Sequence, residues 1–211
     1  METEKLFGFL SKKKKPEKTD KIAFNHLLVA QFNLQTKFLE LIEREIAYTK
    51  TGGKGQITIN LNNLEEEVLI NKLYEASNAG VTINLIVRSI CRLVPGIPGQ
   101  STNIVVKRIV DRYLEHGRVF VFSNDGKPEV YMGSADWMNR NIYRRIEVCF
   151  PIYAQQLKEE LMEIISLQWN DTAQAVMIDQ NLNNTKPAQS DPALRSQKQI
   201  YNFLSKKESG R

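Results

Sequence analysis

Asp111-Arg112-Tyr113-Leu114-Glu115-His116-Gly117-Arg118-Val119-Phe120-Val121-Phe122 runs into the turn-like Ser123-Asn124-Asp125-Gly126, and then into Val130-Tyr131-Met132-Gly133-Ser134-Ala135-Asp136-Trp137-Met138-Asn139-Arg140-Asn141. This pattern predicts a strand over 117–123 with His116 at its start, a hairpin at Asn124-Asp125-Gly126, a strand over 129–133, and a Gly-Ser corner opening into a short helix. Alternate side chains of a strand share a face, so His116 and Arg118 are expected to point the same way. A titratable imidazole beside a permanent cation suits a phosphoryl group.

Upstream, Leu27-Leu28-Val29-Ala30 reads as a buried strand, and Asn33 is placed to cap a helix whose Phe38, Leu41, Ile42 and Ile46 recur at helical spacing. Gly52-Gly53-Lys54-Gly55 ends that helix; it lacks phosphate-loop spacing and follows a helix instead of preceding one, so it reads as a turn. Gln56 to Asn60 predicts a second strand, and Asn63 the cap of the next helix, with Glu65, Glu66 and Glu67 in its first turn and Val68, Leu69, Leu73 and Ala76 as its inward stripe. Gly80 stops that helix, and Val81 to Val87 is a nearly all-apolar strand, as in a sheet covered on both faces. The fold class that follows is α/β, a mixed β-sheet flanked by helices. Arg88 stands where the third strand runs out, and open α/β sheets collect ligands at the carboxyl ends of their strands.

Further along, the loop Ser89 to Ser101 contains Pro95-Gly96 and Pro98-Gly99 and is expected to be ordered but not helical. Ile104 to Val110 fits a strand or a short helix, and its β-branched residues favour the strand. Arg145 to Phe150 predicts a strand closed by Pro151, and Gln155 to Trp169 an amphipathic helix with Leu157, Leu161, Ile164, Ile165 and Gln168 towards one side. The chain turns polar from Asn181 to Asp191, and a last helix is expected from Pro192 to Leu204.

A length of 211 residues with 42% hydrophobic content supports one sizeable core. The boundaries that follow are a linker or remnant of a preceding domain over 1–21, one domain over 22–180, and a polar segment with a C-terminal helix over 181–211. Within the first of these, Leu6-Phe7-Gly8-Phe9-Leu10 reads as a patch that docks elsewhere, and Lys12 to Lys15 as a solvated tether. A net charge of +5 favours polyanionic partners only modestly. Cys91 and Cys149 have no metal-ligand spacing and read as free thiols in a reducing cytosol. No run approaches the roughly 18 apolar residues of a membrane span, so a cytoplasmic protein without an integral membrane segment is expected.

The order His-x-Arg, hairpin, Gly-Ser-x-Asp resembles a degenerate form of the phospholipase D superfamily motif, in which His-x-Lys is followed by an Asp and then Gly-Ser-x-Asn. The longer string Asp111 to His116, with Ser134-Ala135-Asp136-Trp137-Met138 and Arg140-Asn141, resembles the C-terminal part of long-form polyphosphate kinase, from about Phe7 to about Asn183. That resemblance implies a phospholipase D-like half-site in a phosphotransferase that moves the ATP terminal phosphate reversibly to polyphosphate. It further implies a phosphorylated histidine, a nucleotide pocket and magnesium-associated residues in preceding domains, so that the ligands of Mg2+ lie outside this chain and the chain, a C-terminal fragment, is inactive alone. His116 then becomes the general acid, with Arg88 and Arg145 gripping phosphate.

The residues themselves point the same way. Arg88, Arg118 and Arg145 fall at strand ends expected to share one rim, and three convergent guanidinium groups make a phosphate clamp. Asp136, Trp137 and Asn139 either line that rim or pack the corner. Glu115, with Asp111 and Arg112, either orients His116 or pairs on the surface. Arg118 stands where the phospholipase D motif has Lys, and Asp136 where it has Asn, which counts against ordinary phosphodiesterase chemistry. There is one motif copy, and the other histidine, His26, lies in Phe24-Asn25-His26-Leu27-Leu28 without a partner pattern. Two other readings remain: a phosphodiesterase or nuclease that completes its site as a homodimer, and a non-enzymatic polyanion-binding module. Nucleic acid is the less favoured partner, and homo-oligomerisation is left open.

Overall fold

In the structure, a computed structural model describing residues 1–17, 20, 22–186 and 192–209, nine strands form one mixed sheet. They are β1 Leu28–Val29, β2 Gln56–Leu61, β3 Thr82–Val87, β4 Ile104–Arg108, β5 Val119–Phe122, β6 Glu129–Gly133, β7 Val148–Pro151, β8 Val176–Ile178 and β9 Asn184–Thr185, in the spatial order β1-β7-β6-β5-β2-β3-β4-β8-β9. Six helices accompany them: α1 Glu2–Leu10, α2 Leu34–Lys50, α3 Glu67–Asn78, α4 Asn139–Tyr143, α5 Gln155–Trp169 and α6 Ser196–Ser209. The central β2, β3 and β4 are parallel, and every other pairing is antiparallel.

Alternation decides which face meets which helix. Ile57, Ile59 and Leu61 of β2 and Phe120 and Phe122 of β5 join Phe38, Leu41, Ile42 and Ile46 of α2 in the main core. The Phe38 ring lies 4.5 Å from Phe120 and 5.4 Å from Trp137, centroid to centroid. On the other face Val119 and Val130 pack with Ile165 and Leu161 of α5, while Leu157, expected on that stripe, is exposed.

Three local expectations change. Asn63 does not cap α3: Glu66 does, its carboxylate accepting the N–H groups of Val68 (3.2 Å) and Leu69 (2.7 Å). The helix therefore starts later, and its inward stripe is Leu69, Ile70, Leu73 and Ala76, with Val68 exposed at 46%. Asn33 holds the cap position of α2 but turns backwards, accepting from Val29 N–H and donating to the Phe24 and Leu27 carbonyls. The expected linker is helical over α1, where Leu6 and Phe9 are buried, Phe9 edge-on to Phe32 at 5.3 Å, and Glu2 accepts the N–H groups of Asn25, His26 and Leu27.

At the other end, α6 begins at Ser196 and not at Pro192; before it, the Leu194 carbonyl accepts the Thr172 and Ala173 N–H groups. Part of the expected polar stretch pairs as β9; its residues 187–191, like 18, 19 and 21 of the expected linker, lie outside the described residues. Replacing Glu66 by alanine is expected to lower stability by about 0.5–2 kcal/mol, read from a urea denaturation midpoint. Val68→Ala, at its exposed site, is expected to stay within about 0.5 kcal/mol.

Register aligns one edge of the sheet. Leu61 pairs with Val87, Asn60 with Val119, Val119 with Met132, Gly133 with Cys149, and Val148 with Val29. The carboxyl ends of β2 and β3, the start of β5, the end of β6 and the start of β7 therefore lie along one rim. The hairpin between β5 and β6 turns away at the far end, with Asn124, Asp125 and Gly126 at φ of 47°, 50° and 84°.

Candidate functional site

The Gly-Ser-x-Asp corner builds the rim. A Cβ on Gly133 would stand 2.3 Å from the Val148 carbonyl oxygen, so β6 and β7 approach this closely only with glycine there. Ser134 donates to Glu147 (2.5 Å) and accepts from Val148 N–H (3.2 Å). Asp136, 3% exposed, gathers five donors: Oδ1 accepts Asn62 N–H (2.9 Å), Asn63 N–H (3.2 Å) and Arg118 Nε (3.2 Å), and Oδ2 accepts Asn63 Nδ2 and Arg118 Nη2, both at 3.1 Å. Burial pushes its pKa up, but the Arg118 and Asn63 hydrogen bonds outweigh burial and hold the carboxyl below its ordinary range.

Arg118 was expected to face a phosphate. Its fork is instead committed to Asp136, and its third donor, Nη1, goes to the His116 carbonyl at 2.9 Å. The ladder of β5 begins at Val119, so His116 and Arg118 precede the strand and do not share a face of it. One cation of the expected clamp is thus paired within the chain, its side chain 11% exposed, and the anion it meets is Asp136.

His116 is exposed at the rim and meets Arg88 from the end of β3. Arg88 Nη1 donates to the Glu115 carbonyl (2.9 Å), and Nη2 stands 3.4 Å from His116 Nδ1. A guanidinium only donates, so Nδ1 is the accepting nitrogen and Nε2 carries the ring proton. Partial desolvation, then the positive charges of Arg118 and Arg88, push the His116 pKa down, with Asp136 opposing. The lowered pKa favours the uncharged imidazole, held from one side by Arg88, and among the described residues Nε2 has no partner.

The remaining expected site residues divide. Arg145 precedes β7 on the same rim, exposed, and among the described residues its guanidinium has no partner, while its carbonyl accepts from Gln31 Nε2 at 2.9 Å. Two strand spacings, about 10 Å, separate the starts of β7 and β5. Asn139, exposed at the start of α4, donates to Glu65 at 3.3 Å. Trp137 is fully buried and stacks on Phe120 at 5.7 Å, which makes it packing. The Glu115 carboxylate turns away from the imidazole to accept Gln168 Nε2 at 3.1 Å, and burial pushes its pKa up. Asp111 pairs with Arg195, and Arg112 lies over the Tyr113 ring at 5.5 Å, so the expected cluster of Asp111, Arg112 and Glu115 around His116 does not form.

His26 precedes β1 at the opposite end of the sheet, 2.5 Å from the Tyr153 hydroxyl, and takes no part in this rim. Both cysteines are free, and burial pushes the Cys149 thiol up to about 12. Among the described residues no three His, Cys, Asp or Glu side chains stand together as metal ligands, and no helix is long and apolar enough to cross a membrane.

Residues 27–197 match the family model described as polyphosphate kinase C-terminal domain 2. The polyphosphate kinase of Vibrio parahaemolyticus is 45% identical over 204 residues, covering 96% of this chain and 29% of that protein. The polyphosphate kinase of Escherichia coli K12 is 40% identical over 204 residues, again 96% of this chain and 29% of the other. The crystal structure of polyphosphate kinase from Porphyromonas gingivalis superposes with a TM-score of 0.93 at 43% identity, covering 100% of this chain and 32% of that one. The phospholipase D family member Nuc from Salmonella typhimurium shares the fold alone, with a TM-score of 0.52 at 15% identity over 76% of this chain and 98% of that one. This chain spans less than a third of the polyphosphate kinases it matches.

Proposed function

We propose, from the premise that this chain belongs to the polyphosphate kinase family as its C-terminal domain, that it supplies one half of a phosphotransferase site. The other half, with the phosphorylated histidine, the nucleotide pocket and the ligands of Mg2+, is assigned to upstream domains. ATP and polyphosphate are the substrates, and the terminal phosphate passes between them through that phosphohistidine. Alone the chain binds polyphosphate weakly and turns nothing over. Its folded unit is taken to extend past 22–180, since Leu6, Phe9 and Ser196 are buried. A cytoplasmic location fits the free thiols of Cys91 and Cys149.

The observation that carries the reading is the pairing of His116 with Arg88 at the carboxyl end of β3, with the Arg145 guanidinium unpartnered among the described residues on the same rim. In this reading Arg88 and Arg145 hold phosphate oxygens and stabilise the charge that spreads over them during transfer. An arriving phosphate draws Arg88 Nη2 off Nδ1 and offsets its charge, so Nδ1 takes up a proton from solvent as substrate binds; the imidazolium then gives its Nε2 proton to the leaving oxygen and is left as the Nδ1–H tautomer. Arg118 and Asp136 do not touch phosphate; they hold the His116 carbonyl and the corner in place.

Mixing this chain with the missing upstream domains is expected to restore ATP and polyphosphate interconversion that neither part shows alone. No restoration with both parts folded, or turnover of a phosphodiester by this chain alone that depends on His116, would sink the proposal.

A further inference from the structure

We infer that the C-terminal helix α6 belongs to this site: Arg195 and Gln197 are positioning residues that hold the segment leading into His116 and so set where the imidazole stands against Arg88. Among the described residues, 111–116 make no backbone–backbone hydrogen bond, lying between the ladders of β4 and β5. Side chains hold the segment instead, at every second residue. Arg195 grips the Asp111 carboxylate with two donors, Nε to Oδ2 at 2.8 Å and Nη2 to Oδ1. The Gln197 amide bonds both sides of Tyr113, accepting its N–H at 3.0 Å and donating to its carbonyl at 2.8 Å, as a neighbouring strand would. Gln168 of α5 takes the Glu115 carboxylate, and Arg88 takes the Glu115 carbonyl.

The arms are rigid at their base. Asp171, fully buried, accepts Ser196 N–H at 2.7 Å with Oδ2 and the N–H groups of Ala173, Gln174 and Ala175 with Oδ1. At the far end Lys207 pairs with Glu160 of α5. Arg195 therefore reaches Asp111 from a fixed helix start, although its own side chain is 45% exposed. The pair is open only on its arginine side, the Asp111 side chain being 2% exposed, and two of the arginine's atoms and two of Gln197 decide the path of a segment that has no ladder of its own.

The functional consequence rests on the reading of His116 given above; the positional claim does not, and its test observes the imidazole directly. The chain has two histidines, so 15N-histidine labelling of the full 211-residue chain yields a resonance for His116 and an internal reference in His26. In the wild type, His116 is expected to be the Nε2–H tautomer and to titrate below the ordinary histidine value of about 6.5. In R195A/Q197A its midpoint rises towards that value and the tautomers mix, as the ring leaves Arg88. Should the double variant fail to fold, Q197A alone is expected to move His116 in the same direction by less. His116 titration and tautomer superimposable on wild type, in whichever of these variants is folded, overturns the inference. Unchanged activity of H116A once mixed with the upstream domains would instead sink the catalytic reading and leave this one standing.

Discussion

Replacing His116 by alanine is expected to lower phosphoryl transfer by the reconstituted enzyme by about 100- to 10,000-fold, the range a positioned proton donor supplies. The loss should fall on kcat, because the proposed phosphate contacts, Arg88 and Arg145, are left in place. It should come without loss of fold: the His116 side chain is exposed and its one described hydrogen-bond partner is Arg88, at 3.4 Å, so stability stays within about 0.5 kcal/mol. Steady-state rates beside a denaturation curve separate the two, and a loss of less than about tenfold in a folded variant would remove His116 from the chemistry. Arg88→Ala should behave differently, weakening polyphosphate binding and freeing the ring as well, since one guanidinium holds both the Glu115 carbonyl and Nδ1.

The elements were legible because each is written locally. Apolar runs broken by Gly52, Gly80 and the Asn124-Asp125-Gly126 turn mark β2, β3 and the hairpin, and the spacing of Phe38, Leu41, Ile42 and Ile46 marks α2. The rim was legible for the same reason, since strand ends follow from strands. Partners were not. Asp136 meets Asn62 from 74 residues away, Glu115 meets Gln168 across 53, and Asp111 meets Arg195 across 84, and no local period encodes such pairings. One signal was present all the same. The two positions where this chain departs from the phospholipase D pattern, Arg118 and Asp136, are each other's partners: a planar fork facing a carboxylate, 18 residues apart. Two departures that complement each other in charge point to a pair, and a pair withdraws its cation from any ligand. The buried Leu6 and Phe9 of α1, three residues apart, were likewise a helical spacing inside an apparent linker.

That pair sets the largest expected loss of stability. Asp136→Ala removes the acceptor of five donors and leaves Arg118, whose side chain is 11% exposed, as an uncompensated charge, at a cost of about 3–5 kcal/mol. Replacing both residues by apolar ones of similar volume should cost far less, because most of the penalty in the single variant comes from the charge left behind. Acid should reproduce the effect. The Asp136 pKa is lower folded than unfolded, so its contribution is full above the unfolded value of about 3.9 and is lost as pH falls through the folded one. Stability measured from pH 5 downwards should therefore fall more steeply for wild type than for Asp136→Ala, which has already lost the group that titrates. Parallel acid limbs would mean that the carboxylate is not held by Arg118, and the rim would then have a third cation free for phosphate after all.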